Sequence, residues 1–167
     1  MRRDADRARL IGVCAHAVLE QWDFIRPRTE ICTVIEQTCR RFVEQDQPHL
    51  MADVIEDLTT LFRTFLSSEP YKRLQCATVL GREVPFVMPL GEGQIMEGVI
   101  DLIYRLDDRI CIADYKTDDV AAEDLQTIAD RYRPQAESYS RAVTSALGLP
   151  SLSFQFIFLR PGIAVDV

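Results

Sequence analysis

The chain has 167 residues, of which 47% are hydrophobic, and this is enough apolar material for one compact domain with a sizeable core. Its 26 acidic and 19 basic residues give a formal net charge of −7, which argues against a strong autonomous nucleic-acid binder but not against an acidic metal site that acts on phosphates. It has no run of about 18 apolar residues and no secretory signal, so we expect no membrane span and a cytoplasmic location.

Residues 1–70 are predicted to be helical. In RARLIGVCAHAVLEQWDF the apolar residues recur at helical spacing, and Pro27 follows the end of this first helix. Thr29 is placed to cap a second helix that runs to about Glu44, and Pro48 opens a third helix at a position where proline is favoured. One apolar stripe of the third helix is expected to face the core: Leu50, Val54, Leu58, Leu61 and Phe65.

After Pro70 the sequence changes to short β-rich runs. LQCATVLGREVPFVMPL, QIMEGVIDLIYRL and RICIADYK predict three strands separated by turns. Pro134 is predicted to start a helix, QAESYSRAVTSALG, which Gly148 closes, and SLSFQFIFLR predicts a last strand. This order predicts an α/β fold with a central mixed sheet, in a single domain over 1–167 whose sheet and last helix occupy 71–167.

Two aspartates stand in the middle strands, where apolar residues would be expected. If Asp107 and Asp108 form the tip of a hairpin, the residue numbers of each opposed pair add up to the same value. Asp101 then lies opposite Asp114. Directly opposed side chains have Cβ atoms about 4.5–5.5 Å apart, and like charges in that position repel. Two carboxylates so close together favour a shared cation, or one of them stays protonated.

Lys116 is expected on the same strand face as Asp114, because side chains two residues apart on a strand point to the same side. Oxygen ligands with open positions suit Mg²⁺ or Mn²⁺, and a lysine beside such a metal can orient or deprotonate a bound water or neutralise charge on a phosphate. The alternative is an ordinary hairpin with a structural Asp–Lys pair. That pair needs only one acid, whereas two acids point inward here, and buried charges are costly unless they are paired or metal-bound.

The residues around these aspartates resemble a known family. GVIDLIYRLDDRICIADYKTD is similar to the core motif of the PD-(D/E)XK nuclease superfamily, most of all to its RecB-like branch, the nuclease domains that end bacterial helicase–nucleases of the RecB and AddA type. Three further segments fit motifs of that branch in the expected order: GVCAHAVLE and REVPF before the core, and QAESY after it. The resemblance spans roughly residues 10 to 160 and implies a restriction-endonuclease-like fold, in which helices flank the central sheet.

The resemblance also implies a metal centre and a catalytic lysine. The metal ligands would be three side chains: Asp101, Asp114 and His16. A main-chain carbonyl, that of Ala113 or Tyr115, would share the ion, and Lys116 would be the catalytic lysine. For His16, which lies on a largely apolar helix, an ordinary core histidine is the alternative.

Two further motif residues, Gln135 and Tyr139, would lie near the DNA backbone. They are four residues apart on one helix face, and Gln135 is expected in the first turn, where free N–H groups favour a phosphate. Plain packing of Tyr139 on the sheet is the alternative. Glu20, one turn after His16, would orient the imidazole ring or be a solvated glutamate, and Glu83 would touch the site or pair with a base.

The resemblance predicts a Mg²⁺- or Mn²⁺-dependent deoxyribonuclease, an exonuclease rather than an endonuclease, that acts on single-stranded DNA. No cysteine follows Cys111, so the four-cysteine iron–sulfur cluster of some relatives cannot form in this chain. No GxxxxGK[ST] motif occurs, so a helicase would be an attached domain or a partner protein, and the chain is expected to be the C-terminal nuclease module of a larger helicase–nuclease or a stand-alone relative. Two alternatives stay open: an inactive nuclease-fold module that holds DNA or a protein partner, and a metal-dependent phosphoesterase for small substrates.

Overall fold

The structure, a computed structural model, describes residues 2–44, 47–91 and 93–167, and of residues 2, 3, 90 and 91 it describes the backbone only. The helices are α1 (Arg2–Gln21), α2 (Ile31–Phe42), α3 (Met51–Ser67), α4 (Glu69–Gln75) and α5 (Leu125–Leu147). The strands are β1 (Thr78–Gly91), β2 (Gln94–Leu106), β3 (Arg109–Lys116), β4 (Ser153–Phe158) and β5 (Ile163–Asp166). Short 3₁₀ turns precede α2, α3 and α5: Arg28–Glu30, Pro48–Leu50 and Ala122–Asp124. Among the described helices, none is long and apolar enough to cross a membrane.

Two compact units share these elements, and the chain passes between them several times. One unit contains α1 to α4, the end of β3 and the β4–β5 turn: Met1–Gln75, Lys116–Asp119 and Phe158–Ile163. The other contains most of the sheet and α5: Cys76–Tyr115, Val120–Ile157 and Ala164–Val167. We call them the helical unit and the sheet unit.

Apolar stripes build the core of the helical unit. The stripe predicted for the third helix is confirmed, because all five of its residues, from Leu50 to Phe65, are buried. Tyr71 adds hydrogen bonds to this core. Its hydroxyl accepts from Trp22 Nε1 at 3.2 Å and donates to the main-chain oxygen of Phe24 at 3.0 Å. These bonds satisfy the polar ends of two buried aromatic side chains.

The sequence prediction missed α4, because Pro70 was interpreted as the end of helical structure. The proline instead lies in the first turn of α4, where its missing N–H is not needed. Ser68, just before this helix, accepts a hydrogen bond on its Oγ from the N–H of Tyr71 at 3.4 Å, as an N-cap does.

The sheet has the strand order β1-β2-β3-β4-β5. The pairs β1–β2 and β2–β3 are antiparallel. The N–H of Leu159, just after β4, donates to the carbonyl of Lys116 at the end of β3 at 2.9 Å, so these two strands end at the same edge and run parallel. The predicted α/β fold with a central mixed sheet and a helical N-terminal part is confirmed, and the short strand β5 is an addition to it.

The β2–β3 hairpin has the register that the sequence predicted. Its pairs run without a shift from Leu106–Arg109 to Leu102–Ala113. Asp107 and Asp108 form the turn with φ of 47° and 63°, and left-handed conformations at both central residues are typical of the two-residue type I′ turn. A tight turn of this kind fixes the register locally, which explains why the sequence was sufficient to predict it.

The prediction that a helix starts at Pro134 is wrong. α5 begins at Leu125, and Pro134 lies in its interior. An interior proline removes a main-chain hydrogen bond and costs about 3 kcal/mol. Leu125 and Ala129 are nevertheless buried ahead of it and Ala136 behind it, so one buried stripe continues through the proline and outweighs this cost. Gly148 closes the helix as predicted, with a φ of 64°.

Candidate active site

Two buried aspartates lie at the same level of adjacent strands in the sheet unit. Asp101 is 8% exposed and Asp114 is 3% exposed, and no other carboxylate in the described part of the chain is buried. The register of the β2–β3 hairpin, extended by one position beyond Leu102–Ala113, sets the two residues opposite each other. Ionised groups at this depth are costly unless an opposite charge or a metal balances them.

The backbone ladder of the hairpin stops where the aspartates begin. Its last pair is Leu102–Ala113, and beyond that pair the main-chain N–H of Tyr115 donates to Oδ2 of Asp101 at 2.7 Å. Hydrogen bonds to an ionised acceptor are short and directional. This bond therefore fixes the Asp101 carboxylate between the ends of the two strands.

A third acid, Glu83, comes from β1. The register of β1 and β2 is the same on both sides of this residue and sets it opposite Asp101. Its φ of 47° is left-handed, and such a conformation costs a non-glycine residue roughly 1–3 kcal/mol. Strained residues of this kind are concentrated at functional sites, and here the strain coincides with a half-buried carboxylate beside two buried ones.

The last two residues of β3 face opposite sides of the sheet. Lys116 is half-buried and lies two residues after Asp114, so strand alternation puts both side chains on one face. Burial raises the pKa of Tyr115 well above its ordinary value of 10.0, the charge of Asp101 raises it further, and Arg82 lowers it. The phenol of Tyr115 is therefore neutral at physiological pH. Metal binding by a main-chain carbonyl of β3 stays a prediction.

Gln135 and Tyr139 form a hydrogen-bonded pair on α5, in which Gln135 Nε2 donates to the Tyr139 hydroxyl oxygen at 3.0 Å. The prediction that Gln135 lies in the first turn of a helix is wrong, because α5 begins at Leu125. Only the first turn of a helix has free main-chain N–H groups, so the phosphate contact inferred from them does not hold. The polar groups on this face of α5 are instead a side-chain amide and a phenol.

The Tyr139 hydroxyl is protonated and can donate a hydrogen bond. Burial raises the pKa of Tyr139, and the hydrogen bond from Gln135 lowers it. The negative charges of three acids raise it further: Asp114, Asp101 and Glu83. Because the hydroxyl oxygen already accepts from Gln135, its own proton is directed away from the amide and can be donated to an anionic group.

Sequence analysis missed the residues that hold Tyr139 in place. Its ring packs edge-on against Phe86, with ring centroids 5.2 Å apart. The Phe86 ring in turn covers Gly98, where an added Cβ would come within 2.6 Å of a ring carbon. Gly98 thus leaves the space that Phe86 needs to contact Tyr139. The available signal was a glycine inside a strand, because such a glycine often marks the close approach of another group.

His16 lies half-buried on α1, in the helical unit. It follows Gly12 by one turn on the same helix face, and an added Cβ at Gly12 would lie 3.6 Å from Oγ1 of Thr117, the residue after Lys116. Metal ligation by His16 stays a prediction. Glu20 is exposed near the end of α1, which agrees with the alternative of a solvated glutamate.

Comparison with known proteins identifies the family. The family model of the PD-(D/E)XK nuclease superfamily matches residues 1–160. The chain belongs to this superfamily. The family and the fold of this PD-(D/E)XK chain confirm the resemblance that its sequence showed.

The chain is also similar to bacterial proteins named as subunits of an ATP-dependent helicase/nuclease. It is 29% identical over 152 residues to the protein of Acetivibrio thermocellus, which covers 82% of this chain and 12% of that protein. For Anoxybacillus flavithermus the identity is 32% over 139 residues, with 79% and 11% covered, and for Lacticaseibacillus casei it is 29% over 174 residues, with 94% and 14% covered. The chain spans about one eighth of the length of these curated relatives.

The donor set of this PD-(D/E)XK chain fits a small divalent cation. Asp101 on β2 and Glu83 on β1 each offer a carboxylate oxygen, and these two atoms lie within 4.8 Å of each other. The buried side chain of Asp114 lies on the adjacent strand β3. Hard oxygen donors of this kind suit Mg²⁺ or Mn²⁺, whereas thiolates, which suit softer metals, are absent from these strand positions. A bound cation would balance the charges that the fold buries here.

Proposed function

We propose that this chain is a nuclease module of a recombination-repair helicase–nuclease and that it hydrolyses phosphodiester bonds in DNA. The observation that carries the proposal is the pair of buried aspartates, Asp101 and Asp114, at the end of the hairpin ladder, with Lys116 on the same strand face. A structural ion pair needs one acid. Two opposed buried acids, with a strained glutamate beside them, are instead what a shared divalent cation requires.

The cation is proposed to be Mg²⁺ or Mn²⁺, held by Asp101, Asp114 and His16 and shared by the main-chain carbonyl of Ala113 or Tyr115. When bound, such an ion polarises the scissile phosphate and lowers the pKa of the attacking water. The hydrogen bond from the Tyr115 N–H holds the Asp101 carboxylate in one orientation without the metal. Less reorganisation is then needed when the cation binds.

Lys116 is proposed to position or deprotonate the attacking water, or to offset the negative charge that develops on the phosphate. Tyr139 is proposed to donate its hydroxyl hydrogen bond to a phosphate oxygen of the DNA, with Gln135 holding the hydroxyl in orientation. Glu83 is proposed to support the metal ligands from β1, because it lies opposite Asp101.

The proposed substrate is single-stranded DNA delivered by a helicase, which would be an attached domain or a partner protein. Exonucleolytic cleavage is proposed over endonucleolytic cleavage. The similar bacterial proteins are named as helicase/nuclease subunits, which supports the pairing with a helicase. The net charge of −7 supports weak DNA binding by this chain alone. That binding should fall as salt rises, because any phosphate contacts release counterions.

The test is digestion of labelled single- and double-stranded DNA in Mg²⁺, Mn²⁺ or EDTA, with a parallel Mn²⁺ titration. We expect cleavage with either ion, none in EDTA, and faster cleavage of single strands. Asp101→Ala should abolish both metal binding and cleavage. Lys116→Ala should leave metal binding intact and slow cleavage at least about a hundredfold, because it removes one positioned catalytic group.

Two matched control variants carry the same kinds of substitution at exposed positions. Lys72→Ala changes the other lysine of the chain, whose side chain is 59% exposed, and Asp166→Ala changes an exposed acid of β5. Both should cut DNA at the wild-type rate. Wild-type cleavage by Lys116→Ala would show that the lysine is structural, and DNA binding without cleavage under every metal condition would favour an inactive binding module.

A further inference from the structure

The end of β3 that carries Lys116 is held by two consecutive residues from the β4–β5 turn. The main-chain N–H of Leu159 donates to the carbonyl oxygen of Lys116 at 2.9 Å. Nε of Arg160 donates to the carbonyl oxygen of Thr117, the next residue, also at 2.9 Å. The first of these bonds continues the ladder of parallel strands, whereas the second is made by a side chain beyond the end of the ladder.

The β4–β5 turn is itself anchored in the helical unit. Leu159 is fully buried, and the N–H of Gly162 closes the turn on the carbonyl of Phe158 at 3.0 Å. Gly162 has a φ of 67°, and an added Cβ there would come within 2.9 Å of the Cβ of Ser68. The backbone on both sides of Arg160 is therefore held in place, and from there its guanidinium donates to the Thr117 carbonyl.

We propose that Arg160 is a positioning residue for Lys116: its bond to the Thr117 carbonyl keeps the end of β3 from fraying and so aims the lysine side chain. This inference rests on the proposed function, in which Lys116 acts on the phosphate or the water. The lysine side chain is a flexible stem of four carbons, so the position of the Lys116 ammonium depends on where the backbone holds the Cα of this residue. Strand ends fray unless their backbone groups are bonded, and the Thr117 carbonyl is the first one beyond the strand.

The role predicts coupling between the two residues, which a double-mutant cycle measures. Arg160→Met removes the guanidinium but keeps an unbranched stem in its half-buried place. Single-turnover cleavage is measured for the wild type, Arg160→Met, Lys116→Ala and the double variant, with protein in excess so that slow variants remain measurable. We expect Arg160→Met to lower the maximal cleavage rate about tenfold or more, with the protein concentration for half-maximal rate and the Mn²⁺ affinity unchanged. In the Lys116→Ala background, Arg160→Met should cause no further loss.

A direct contact of Arg160 with DNA makes the opposite predictions. The protein concentration for half-maximal rate would then rise, and the losses from the two substitutions would multiply. Either result overturns the inference. Arg63→Met, at an exposed arginine of α3, is the matched control and should leave the rate unchanged. If Arg160→Met does not fold, Arg160→Lys takes its place in the same cycle, because an ammonium keeps the charge but loses the planar donor. Wild-type cleavage by Lys116→Ala would overturn the catalytic role proposed for Lys116, whereas slow cleavage by Lys116→Ala with multiplying losses overturns only the role of Arg160.

Discussion

The helical unit and the acidic end of the β2–β3 hairpin bury polar groups in opposite ways. In the helical unit the Tyr71 hydroxyl is bonded to Trp22 and to a main-chain carbonyl, and every group in this network is neutral. In the sheet unit Asp101 and Asp114 are two buried acids on adjacent strands, and Glu83 beside them has a left-handed backbone. The first arrangement satisfies its polar groups within the fold, whereas the second gathers acids at the place where the proposed cation would bind. We therefore expect stability and the proposed function to depend on different parts of this chain.

Phe65→Ala should have the largest effect on stability. Phe65 is fully buried in α3 and packs edge-on against Tyr71 with ring centroids 5.3 Å apart. Removing a buried phenylalanine ring typically costs about 3–5 kcal/mol of the free energy of unfolding. Chemical denaturation measures this loss, and the cleavage rate per folded molecule should stay the same. Ile25→Ala, at a side chain that is 75% exposed, is the control, and an equal loss there would contradict the assignment of Phe65 to the core.

Gly98→Ala should have an intermediate effect on stability and should also slow cleavage. The new methyl group would push the Phe86 ring away from Tyr139, and overpacking of this kind costs about 1–3 kcal/mol. Denaturation and DNA cleavage are measured together, and Phe86→Leu should reproduce the loss of cleavage.

Gly12→Ala is the matched control for that substitution. The added Cβ meets Thr117 only at 3.6 Å, an ordinary contact, and alanine favours a helix over glycine by about 1 kcal/mol. The same substitution should therefore stabilise α1. Cleavage by Gly98→Ala at the wild-type rate would show that the Phe86–Tyr139 contact has no part in the reaction.

Asp114→Asn should have the smallest effect on stability, with the opposite sign. Replacing one of two opposed buried carboxylates removes like-charge repulsion, so the metal-free protein should gain on the order of 1 kcal/mol. Mg²⁺ or Mn²⁺ should raise the melting temperature of the wild type by mass action and should do so much less for this variant. Thermal melts with and without metal measure both effects. An unchanged metal response would contradict shared ligation, and a less stable metal-free variant would contradict the repulsion.

The regions that were predicted correctly are those whose structure is set locally. β2 and β3 have the bounds that were read from QIMEGVIDLIYRL and RICIADYK, because alternation and a two-residue turn determine both strands. The prediction failed at Pro70, interpreted as the end of helical structure, and at Pro134, interpreted as the first residue of a helix. In each case tertiary burial of neighbouring residues favours a helix that the local preference of proline argues against. Gln135 was misplaced for the same reason.

By itself the sequence determined the family, the mixed α/β architecture and the level at which Asp101 and Asp114 face each other, because motif spacing and strand periodicity are local properties. Only the tertiary structure decided what surrounds these residues. The packing of Phe86 between Gly98 and Tyr139 joins two strands and a helix, and the hydrogen bond from Arg160 to Thr117 joins residues 43 positions apart. Contacts between residues so far apart in sequence depend on the order of the strands and on which side chains pack against one another. A local pattern of residues does not predict them.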